Sequence, residues 1–421
     1  MQPVKPSPKT CVQCRGRLWC GETCWILEKY HSKQRSNERM KEKSFVGSSP
    51  PSVFVSRFGY PKVTISPMSP VEVLSDADIL DNPERWFGMS LETLVDYRMQ
   101  LIRSSKPIHI KDASNPTNEL QKIQELAMAS QKLDVEVELT KAPSAFLSFS
   151  DASPPMGPSA PLKQFDLQEN PFIPKKVERL VSDTDVKSAT AIEELYSGKT
   201  PVHHLYKLLS AGTLGVKDNR KFVPTRWSIT AVDSTVGNQL IDKVKSFSQI
   251  NDFQLFESHF LDNHFFVLLI PREWSFDIME AYRPGGFWSK DLIEVHMSCD
   301  HEFYDGRKDY AENVAGGYYA SRLAVLEHLN EIRRQSACVI FREIGSGYQQ
   351  PMGVWVPRQI VRNALETGSM NFDSIDASIK HLSTKLVVPI KEWEMNSKLL
   401  DRARHQRRLL DFASMGGSSY L

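Results

Sequence analysis

Four of the six cysteines of this chain lie between residues 11 and 24, spaced as two short pairs. Thiolates are preferred ligands of Zn²⁺, and four of them complete its tetrahedral shell. A closed shell of four protein ligands is typical of a structural zinc, which supplies much of the folding free energy of so small a module. The alternatives are four free cysteines, or a redox pair formed by the first two. The predicted zinc ligands are Cys11, Cys14, Cys20 and Cys24.

A second candidate site consists of carboxylates in the middle of the chain. If residues 292–302 form a strand, Asp300 and Glu302 lie on one face, because side chains two residues apart point to the same side of a strand. Asp233, predicted at the end of another strand, and Asp305 complete this set of catalytic candidates. Such oxygen ligands bind Mg²⁺ or Mn²⁺, which activates water for phosphodiester hydrolysis. The alternative is a turn with solvated carboxylates, since a glycine follows Asp305.

Three other polar or small-residue patterns accompany these carboxylates. Arg322 has the planar guanidinium that binds a phosphate through two hydrogen bonds. The adjacent glycines at 316 and 317 interrupt a helical pattern, where glycine costs roughly 1 kcal/mol relative to alanine. A close approach of another backbone, or of a phosphate, would justify them. The adjacent histidines at 203 and 204 are interpreted as a helix start rather than as a pair of ligands.

Near the C-terminus, Gln406, Leu409 and Phe412 are spaced three residues apart. This spacing resembles the PCNA-interacting peptide of sliding-clamp partners. Residues three apart eclipse on a 3₁₀ turn, so the leucine and the phenylalanine project together into one apolar pocket. Ala413 departs from the pattern, which usually has a second aromatic residue there, and this should weaken binding. The alternative is an amphipathic terminal helix that packs on the body of the protein.

A basic run follows the cysteine cluster and is the candidate DNA contact. Its side chains would neutralise phosphates in a salt-dependent and largely sequence-independent way. The whole chain has 52 Lys and Arg against 51 Asp and Glu, a formal net charge of +1, so contact with DNA requires such a local patch. The alternative is a solvated linker. The residues of the run are Lys33, Arg35, Arg39, Lys41 and Lys43.

The elements that must position these groups follow from hydrophobic periodicity. Alternating or continuous apolar runs predict strands at 53–60, 134–149, 226–233, 253–270, 278–282, 292–297 and 337–344, the fourth of these being a hairpin. Helical spacing predicts helices at 83–103, 119–133, 184–197, 201–210, 308–335, 357–367, 372–383 and 390–410. Clean alternation of strand and helix is missing, so the predicted fold class is α+β.

Composition and the positions of turn-forming residues divide the chain into four predicted parts. These are a zinc-binding module with its basic linker (1–47), an N-terminal α/β part (48–215), a strand-rich α+β part (216–400) and a flexible tail (401–421). A hydrophobic fraction of 41% among 421 residues suits an ordinary globular protein. The sequence contains neither a long apolar run nor the apolar core of a signal peptide. We therefore expect a cytoplasmic protein that does not contact membranes.

Several longer strings resemble the archaeal Nre family of DNA-repair proteins. The resemblance implies a role in the response to DNA damage and recruitment by the sliding clamp, and it supplies no catalytic residue. The leading hypothesis is a clamp-recruited repair factor; the alternatives are a metal-dependent nuclease acting on damaged or branched DNA and a non-enzymatic repair scaffold. The matching strings are Cys11–Gly16, Phe58–Val63, Asp81–Trp86, Val223–Asp233 and Gly316–Val325.

Overall fold

The computed structural model describes residues 42–143, 154–286, 289, 292–348 and 350–405. Six strands form the first sheet, in the order β1-β5-β6-β4-β3-β2, with β4 and β6 parallel and the other pairs antiparallel. The alternating burial along β5 leaves one face of this sheet against the core. The strands are β1 (Ser44–Ser49), β2 (Ser52–Val55), β3 (Lys62–Ser69), β4 (Ile102–His109), β5 (Leu133–Leu139) and β6 (Ser159–Leu167).

Among the described residues the second sheet also has six strands, in the order β10-β9-β11-β8-β7-β12, and only its β9–β11 pair is parallel. The structure is therefore a mixed α and β fold with two mixed sheets. The first sheet has as many strands as the second. Strands are therefore not concentrated in the C-terminal part, contrary to the prediction from the sequence. The strands are β7 (Phe253–Phe260), β8 (Asn263–Ile270), β9 (Ser275–Tyr282), β10 (His296–Glu302), β11 (Ala337–Ile344) and β12 (Met370–Phe372).

Eleven α-helices lie in the described residues. Two accompany the first sheet, four follow it along the chain, and five belong to the second sheet. None of the helices in these parts of the chain combines the length and apolar character that crossing a bilayer requires. The helices are α1 (Leu91–Gln100), α2 (Asn118–Met128), α3 (Lys175–Ser182), α4 (Ser188–Ser197), α5 (Val202–Ser210), α6 (Thr225–Val244), α7 (Gly316–Glu331), α8 (Trp355–Glu366), α9 (Ile375–Leu382), α10 (Ile390–Asn396) and α11 (Lys398–His405).

Helices cover both faces of the second sheet, which explains the continuous apolar sequence of β8 and β11. Successive side chains of a strand point to opposite faces. Accordingly, Phe265 and Val267 belong to the cluster that contains α6, α7 and α8, whereas Phe266 and Leu268 pack with Trp393 and the C-terminal helices. Both clusters are needed to bury this sheet.

The strand predicted at 226–233 is wrong, because these residues form the first two turns of α6. Pro224 stands at the N-cap, and Ile229, Val232 and Val236 are buried at helical spacing. The β-branched residues of this segment alternate over a short window and so imitate a strand. Two long predicted helices are also shorter than expected: α1 ends before β4, and α7 starts only at Gly316. The division into four parts stays a prediction.

Candidate nucleic-acid interface

The turn between β2 and β3 presents an aromatic and basic surface. Phe58 and Tyr60 are exposed, and the guanidinium of Arg57 lies 5.4 Å from the ring centre of Phe58. Gly59 has φ of +83°, and a Cβ there would lie 2.6 Å from the carbonyl oxygen of Lys62, so the turn requires glycine. The Lys62 N–H donates to the Gly59 carbonyl at 2.9 Å and closes the turn. The turn therefore holds its aromatic side chains outward.

The start of α6 lies against this turn. The Val55 N–H donates to Thr225 Oγ1 at 2.9 Å, which ties the first residue of α6 to strand β2. Trp227, on the same first turn, is 45% exposed, and its ring centre lies 5.2 Å from that of Tyr60. Arg226 is half-buried beside it. Two large aromatic side chains are thus in contact with each other on the surface, next to a cation.

A third segment, the loop between β10 and α7, supplies another aromatic pair. Tyr310 is 47% exposed and stacks on Tyr319 with ring centres 5.3 Å apart and an interplanar angle of 24°. The Tyr319 hydroxyl accepts a hydrogen bond from the Ala311 N–H at 3.0 Å. We call the resulting surface the aromatic groove; its walls are Arg226, Trp227, Thr230, Ala231, Ser234, Tyr310 and Tyr319.

A cleft of about 320 Å³ adjoins the aromatic groove and shares Arg226, Thr230 and Tyr310 with it. At its wall, Arg342 of β11 forms a buried ion pair with Glu280 of β9. Burial disfavours the charged guanidinium, but the Glu280 carboxylate raises the pKa of Arg342 above its usual value, so the guanidinium stays charged. The wall of the cleft therefore holds a fixed pair of opposite charges.

The Glu280 carboxylate has a second donor. The Tyr282 hydroxyl donates to its Oε2 at 2.7 Å, and burial together with Glu280 raises the pKa of Tyr282 well above its usual value. Arg342 also donates through Nε to Asn263 Oδ1 at 3.0 Å. Every one of these groups is thus held by at least one hydrogen bond, which fixes the shape of the cleft.

The start of α7 forms another wall of the cleft. A Cβ on Gly316 would lie 2.9 Å from Val354 Cγ1, and a Cβ on Gly317 would lie 3.2 Å from Glu280 Oε1. The sequence predicts another backbone or a phosphate beside this glycine pair, whereas the nearest atoms belong to two side chains. Ala315 at the N-cap has φ of +55° and ψ of −130°, a conformation that costs a non-glycine residue free energy of order 1–3 kcal/mol. Such strain clusters at functional sites.

Asp300 and Glu302 lie on the same face of β10 and are both buried, as the strand prediction implies. The Asp300 carboxylate pairs with Arg307 at 3.1 Å. The Glu302 carboxylate pairs with Arg322 at 2.8 Å and accepts from Trp274 Nε1 at 3.1 Å. Each carboxylate therefore neutralises its own arginine, so Arg322 serves as an ion-pair partner in this structure.

Asp233 lies in the interior of α6 rather than at the end of a strand, and it pairs with Arg358 of α8. Burial raises its pKa, while Arg358 opposes that rise. Asp305 is exposed on the loop after β10. Asp300 and Glu302 thus share one face of β10, whereas Asp233 pairs with a different arginine and Asp305 is exposed. In the described stretches of 42–405, no group of three or more His, Cys, Asp or Glu is arranged to hold a metal ion.

The other predicted site residues lie mostly outside the described part of the chain. This holds for the four cysteines, for the clamp-binding motif and for four of the five basic residues. Lys43 is described: its side chain is exposed, and its carbonyl accepts a hydrogen bond from the Leu139 N–H at 2.6 Å. The residues not described are Cys11, Cys14, Cys20, Cys24, Lys33, Arg35, Arg39, Lys41, Gln406, Leu409 and Phe412.

The sequence alone does not predict the aromatic groove or the cleft, although three segments singled out in it contribute to them. The strings Phe58–Val63, Val223–Asp233 and Gly316–Val325 carry the resemblance to the Nre family, and all three meet here. In the sequence these strings signal a family resemblance, and only the structure shows that they meet. The contact of Trp227 with Tyr60 and the pairing of Glu280 with Arg342 join residues far apart in the chain, so periodicity does not reveal them.

Comparisons with known proteins agree with these strings. The family model described as archaeal Nre, N-terminal, matches residues 19–289, and the model described as archaeal Nre, C-terminal, matches residues 302–412. No solved structure matches the chain. The matched residues include the aromatic groove, the cleft and the predicted clamp-binding motif.

Three relatives cover nearly the whole chain. The DNA repair protein NreB of Archaeoglobus fulgidus is 37% identical over 402 residues, 96% of this chain and 99% of the relative. The DNA repair protein NreA of the same organism is 38% identical over 384 residues, 91% and 95% of the two chains. The DNA repair protein NreA of Haloferax volcanii is 33% identical over 406 residues, 95% and 96% of the two chains. This chain belongs to the archaeal Nre family.

Proposed function

We propose that this protein is a DNA repair factor that binds DNA with unpaired bases on the aromatic groove and is recruited by the sliding clamp PCNA. The names of its relatives support the repair role. The observation that carries the DNA-binding proposal is the exposed contact between Trp227 and Tyr60, next to Arg226. Aromatic rings on a surface stack on unpaired bases, and each stacked base contributes about 1–3 kcal/mol.

Exposed cations surround the aromatic contact, which supports DNA as the ligand. The Ile110 N–H donates to the Pro61 carbonyl at 3.1 Å, and the Phe222 N–H donates to the Ile110 carbonyl at 2.9 Å. These bonds bring three separate segments together, and each of them carries an exposed lysine. With net charge near zero, a patch of this kind is what phosphate binding requires. The cations of this patch are the half-buried Arg226 and the exposed Arg57, Lys62, Lys111 and Lys221.

Acidic residues restrict the path that the backbone of a bound DNA strand can take across the aromatic groove. Asp309 and Glu312 are exposed on the loop that carries Tyr310, opposite in sign to a DNA backbone. The phosphates of a bound strand would therefore follow the side of the groove near Lys62 and Lys221, while the bases face Trp227. This arrangement is typical of single-strand binding, in which a basic path carries the backbone and rings carry the bases.

The recruitment part of the proposal rests on the predicted motif Gln406, Leu409 and Phe412 and on the helix before it. Leu399 and Leu400 of α11 are buried in the core of the second sheet. The motif therefore directly follows a helix that is anchored in the core. A partner bound to the motif would be held close to the body of the protein. The zinc module at Cys11–Cys24 is part of the same proposal, as a structural unit.

Fluorescence anisotropy with a labelled single-stranded oligonucleotide tests DNA binding. We expect Trp227→Ala to weaken binding about tenfold, since one stacking contact is lost. The matched control is Phe172→Ala, which removes another aromatic side chain, 62% exposed, outside the groove. Equal affinities of wild type and Trp227→Ala, or equal losses in both variants, would contradict the proposal.

A further inference from the structure

A second cavity, of about 200 Å³, shares no residue with the aromatic groove or the cleft. It lies where the start of β2, the short 3₁₀ turns at 77–85 and the start of α5 meet. Its volume is well above the roughly 30 Å³ share of one water molecule. The lining includes part of the string Asp81–Trp86 and both adjacent histidines, which the function proposed above does not use.

The charges beside this cavity do not balance. Arg98 and Lys207 are 1% and 5% exposed, and both form ion pairs with one carboxylate, that of Asp81. Burial alone would raise the pKa of Asp81, but Lys207 and Arg98 lower it below its usual value, so the carboxylate is ionised. Within this buried cluster, two cations and one anion leave an excess positive charge, which is costly unless an anion outside the cluster offsets it; the half-buried Asp78 in the cavity wall is one such anion.

The remaining contacts of the two cations are to neutral groups. Arg98 donates through Nε to the Pro155 carbonyl at 2.9 Å, and Lys207 donates to the Pro50 carbonyl at 3.3 Å. Carbonyl oxygens satisfy hydrogen bonds but carry no charge. Two nearby carboxylates are engaged by other groups, and a third lines the cavity itself. Asp76 pairs with Arg85 at 2.9 Å, Glu84 lies 3.5 Å from His203 Nδ1, and Asp78 is a half-buried part of the cavity wall.

A polar atom at the cavity also lacks a partner. His204 is 6% exposed and lines the cavity, and its Nε2 has no hydrogen-bond partner among the described residues. Buried polar atoms are almost always bonded to protein, water or ligand. His204 belongs to the first turn of α5, whose N-cap Pro201 provides no side-chain acceptor. The N–H groups of such a turn carry partial positive charge and bind anions.

We propose that this cavity binds a terminal phosphate oxyanion, either inorganic phosphate or the phosphate group of a monoester. Its charge offsets the excess cation of the Arg98–Asp81–Lys207 cluster, and its oxygens take hydrogen bonds from Lys207 and the first turn of α5. A protonated phosphate oxygen donates to His204 Nε2. Inorganic phosphate, a nucleoside 5′-monophosphate and the 5′-phosphate of a DNA strand share this chemistry. The inference does not depend on DNA binding at the aromatic groove.

The first test measures thermal unfolding of the full chain in phosphate-free buffer to which sodium phosphate is added. Sodium chloride at matched ionic strength is the control. A ligand that binds the folded state alone raises the unfolding temperature in a saturable way. We expect phosphate to do so and chloride not to. Equal unfolding temperatures in the two salts at every concentration would overturn the proposal, without bearing on DNA binding at the groove.

The second test uses Lys207→Met, with Lys122→Met as the control, a partly exposed lysine paired with Asp166 outside the cavity. We expect Lys207→Met to bind phosphate at least about tenfold more weakly by calorimetry. In phosphate-free buffer it should be as stable as wild type or more stable, because Asp81 and Arg98 then form a neutral pair. An unchanged phosphate affinity in Lys207→Met would refute the site.

Should Lys207→Met not fold, His204→Gln provides the same comparison, with weaker phosphate binding expected. The source of the anion is found by comparing the binding affinities of four probes. These are inorganic phosphate, AMP, and the same oligonucleotide with either a 5′-phosphate or a 5′-hydroxyl. Tighter binding of AMP identifies a free nucleotide. A preference for the phosphorylated oligonucleotide that Lys207→Met loses identifies a DNA end. If all of these bind wild type and Lys207→Met equally, the proposal is wrong.

Discussion

Asp300 accepts a hydrogen bond from the backbone N–H of Val314 at 2.8 Å, and so ties the loop between β10 and α7 to the second sheet. The same carboxylate accepts from the Asn313 N–H at 3.0 Å and pairs with Arg307. This loop carries Tyr310, one wall of the aromatic groove. Asp300, predicted from sequence as a catalytic candidate, therefore has a positioning role in this geometry.

This relationship predicts the outcome of Asp300→Ala. Removing a buried acceptor that also pairs with Arg307 should lower the free energy of unfolding by about 1.5–3 kcal/mol and weaken DNA binding through the loosened loop. Asp305→Ala, on the exposed part of the same loop, should stay within about 0.5 kcal/mol of wild type. Denaturant unfolding and anisotropy measure the two effects. If Asp300→Ala is instead as stable as wild type but loses Mg²⁺-dependent DNA cleavage, the nuclease hypothesis is favoured.

The cations around the groove should determine the salt dependence of DNA binding. Each phosphate contact to a single strand contributes about 0.7 to the slope of log affinity against log salt concentration. Lys62→Gln and Arg226→Gln should each reduce that slope by about this amount, whereas Arg179→Gln, an exposed arginine paired with Glu194, should leave it unchanged. Anisotropy titrations at several salt concentrations provide the slopes. If all three variants keep the wild-type slope, the phosphates lie elsewhere.

The buried Asp277 predicts a pH dependence of stability. Burial raises the pKa of Asp277 to about 6, against the opposing effects of Ser397 Oγ and the Leu399 N–H. The folded state therefore favours the protonated form. Its stabilising contribution is present in full below the unfolded pKa of 3.8 and is lost as the pH rises through about 6.

Asp277→Asn isolates this contribution. The difference in unfolding free energy between wild type and variant should shift against wild type by roughly 2.5 kcal/mol between pH 4 and pH 7. The difference is needed because His204 acts in the opposite direction: burial and Lys207 lower its pKa to about 3, so its contribution is lost as the pH falls below 6.5. A flat difference curve over this range would show that Asp277 does not titrate there.

The cysteine cluster predicts about one zinc per chain in purified protein. Cys11→Ser/Cys14→Ser should lose the metal, since two of four thiolate ligands are removed. Elemental analysis of the metal gives the ratio directly. Cys299→Ser, which changes a half-buried cysteine of β10, is the control and should retain the zinc. Equal zinc contents in wild type and the double variant would end the zinc hypothesis.

Recruitment predicts that Leu409→Ala/Phe412→Ala abolishes binding to PCNA in calorimetry. Both side chains are expected to enter one apolar pocket of the clamp, so their loss removes most of the buried area. Met395→Ala, which changes an exposed apolar residue of α10, should bind like wild type. If the double variant binds PCNA as tightly as wild type, recruitment through this motif is contradicted.

Elements with local signals were predictable from the sequence. The strand at 337–344 coincides with β11, and the hairpin at 253–270 has its turn at Leu261 and Asp262. The helices near 119–133 and 201–210 correspond to α2 and α5. In each case the apolar spacing agrees with the burial that the fold imposes.

Elements whose type depends on distant packing were not predictable. Residues 226–233 are helical because α5 and α7 pack on α6, and no local residue signals this except Pro224. The site followed the same rule. The residue types of Trp227, Tyr60, Glu280 and Arg342 are visible in the sequence, but their contacts join β2–β3, α6, β9 and β11. Only the three-dimensional arrangement brings them to one surface.

Photo-crosslinking tests the central claim most directly, because it locates the unpaired bases on the protein. A single-stranded oligonucleotide with one 5-iododeoxyuridine crosslinks to an aromatic ring on which that base stacks, and mass spectrometry of the peptides identifies the ring. We predict crosslinks at Trp227, Tyr60 or Tyr310, and fewer of them in Trp227→Ala. Crosslinks confined to peptides outside 57–63, 221–234 and 303–319 would contradict the proposal that the aromatic groove binds DNA.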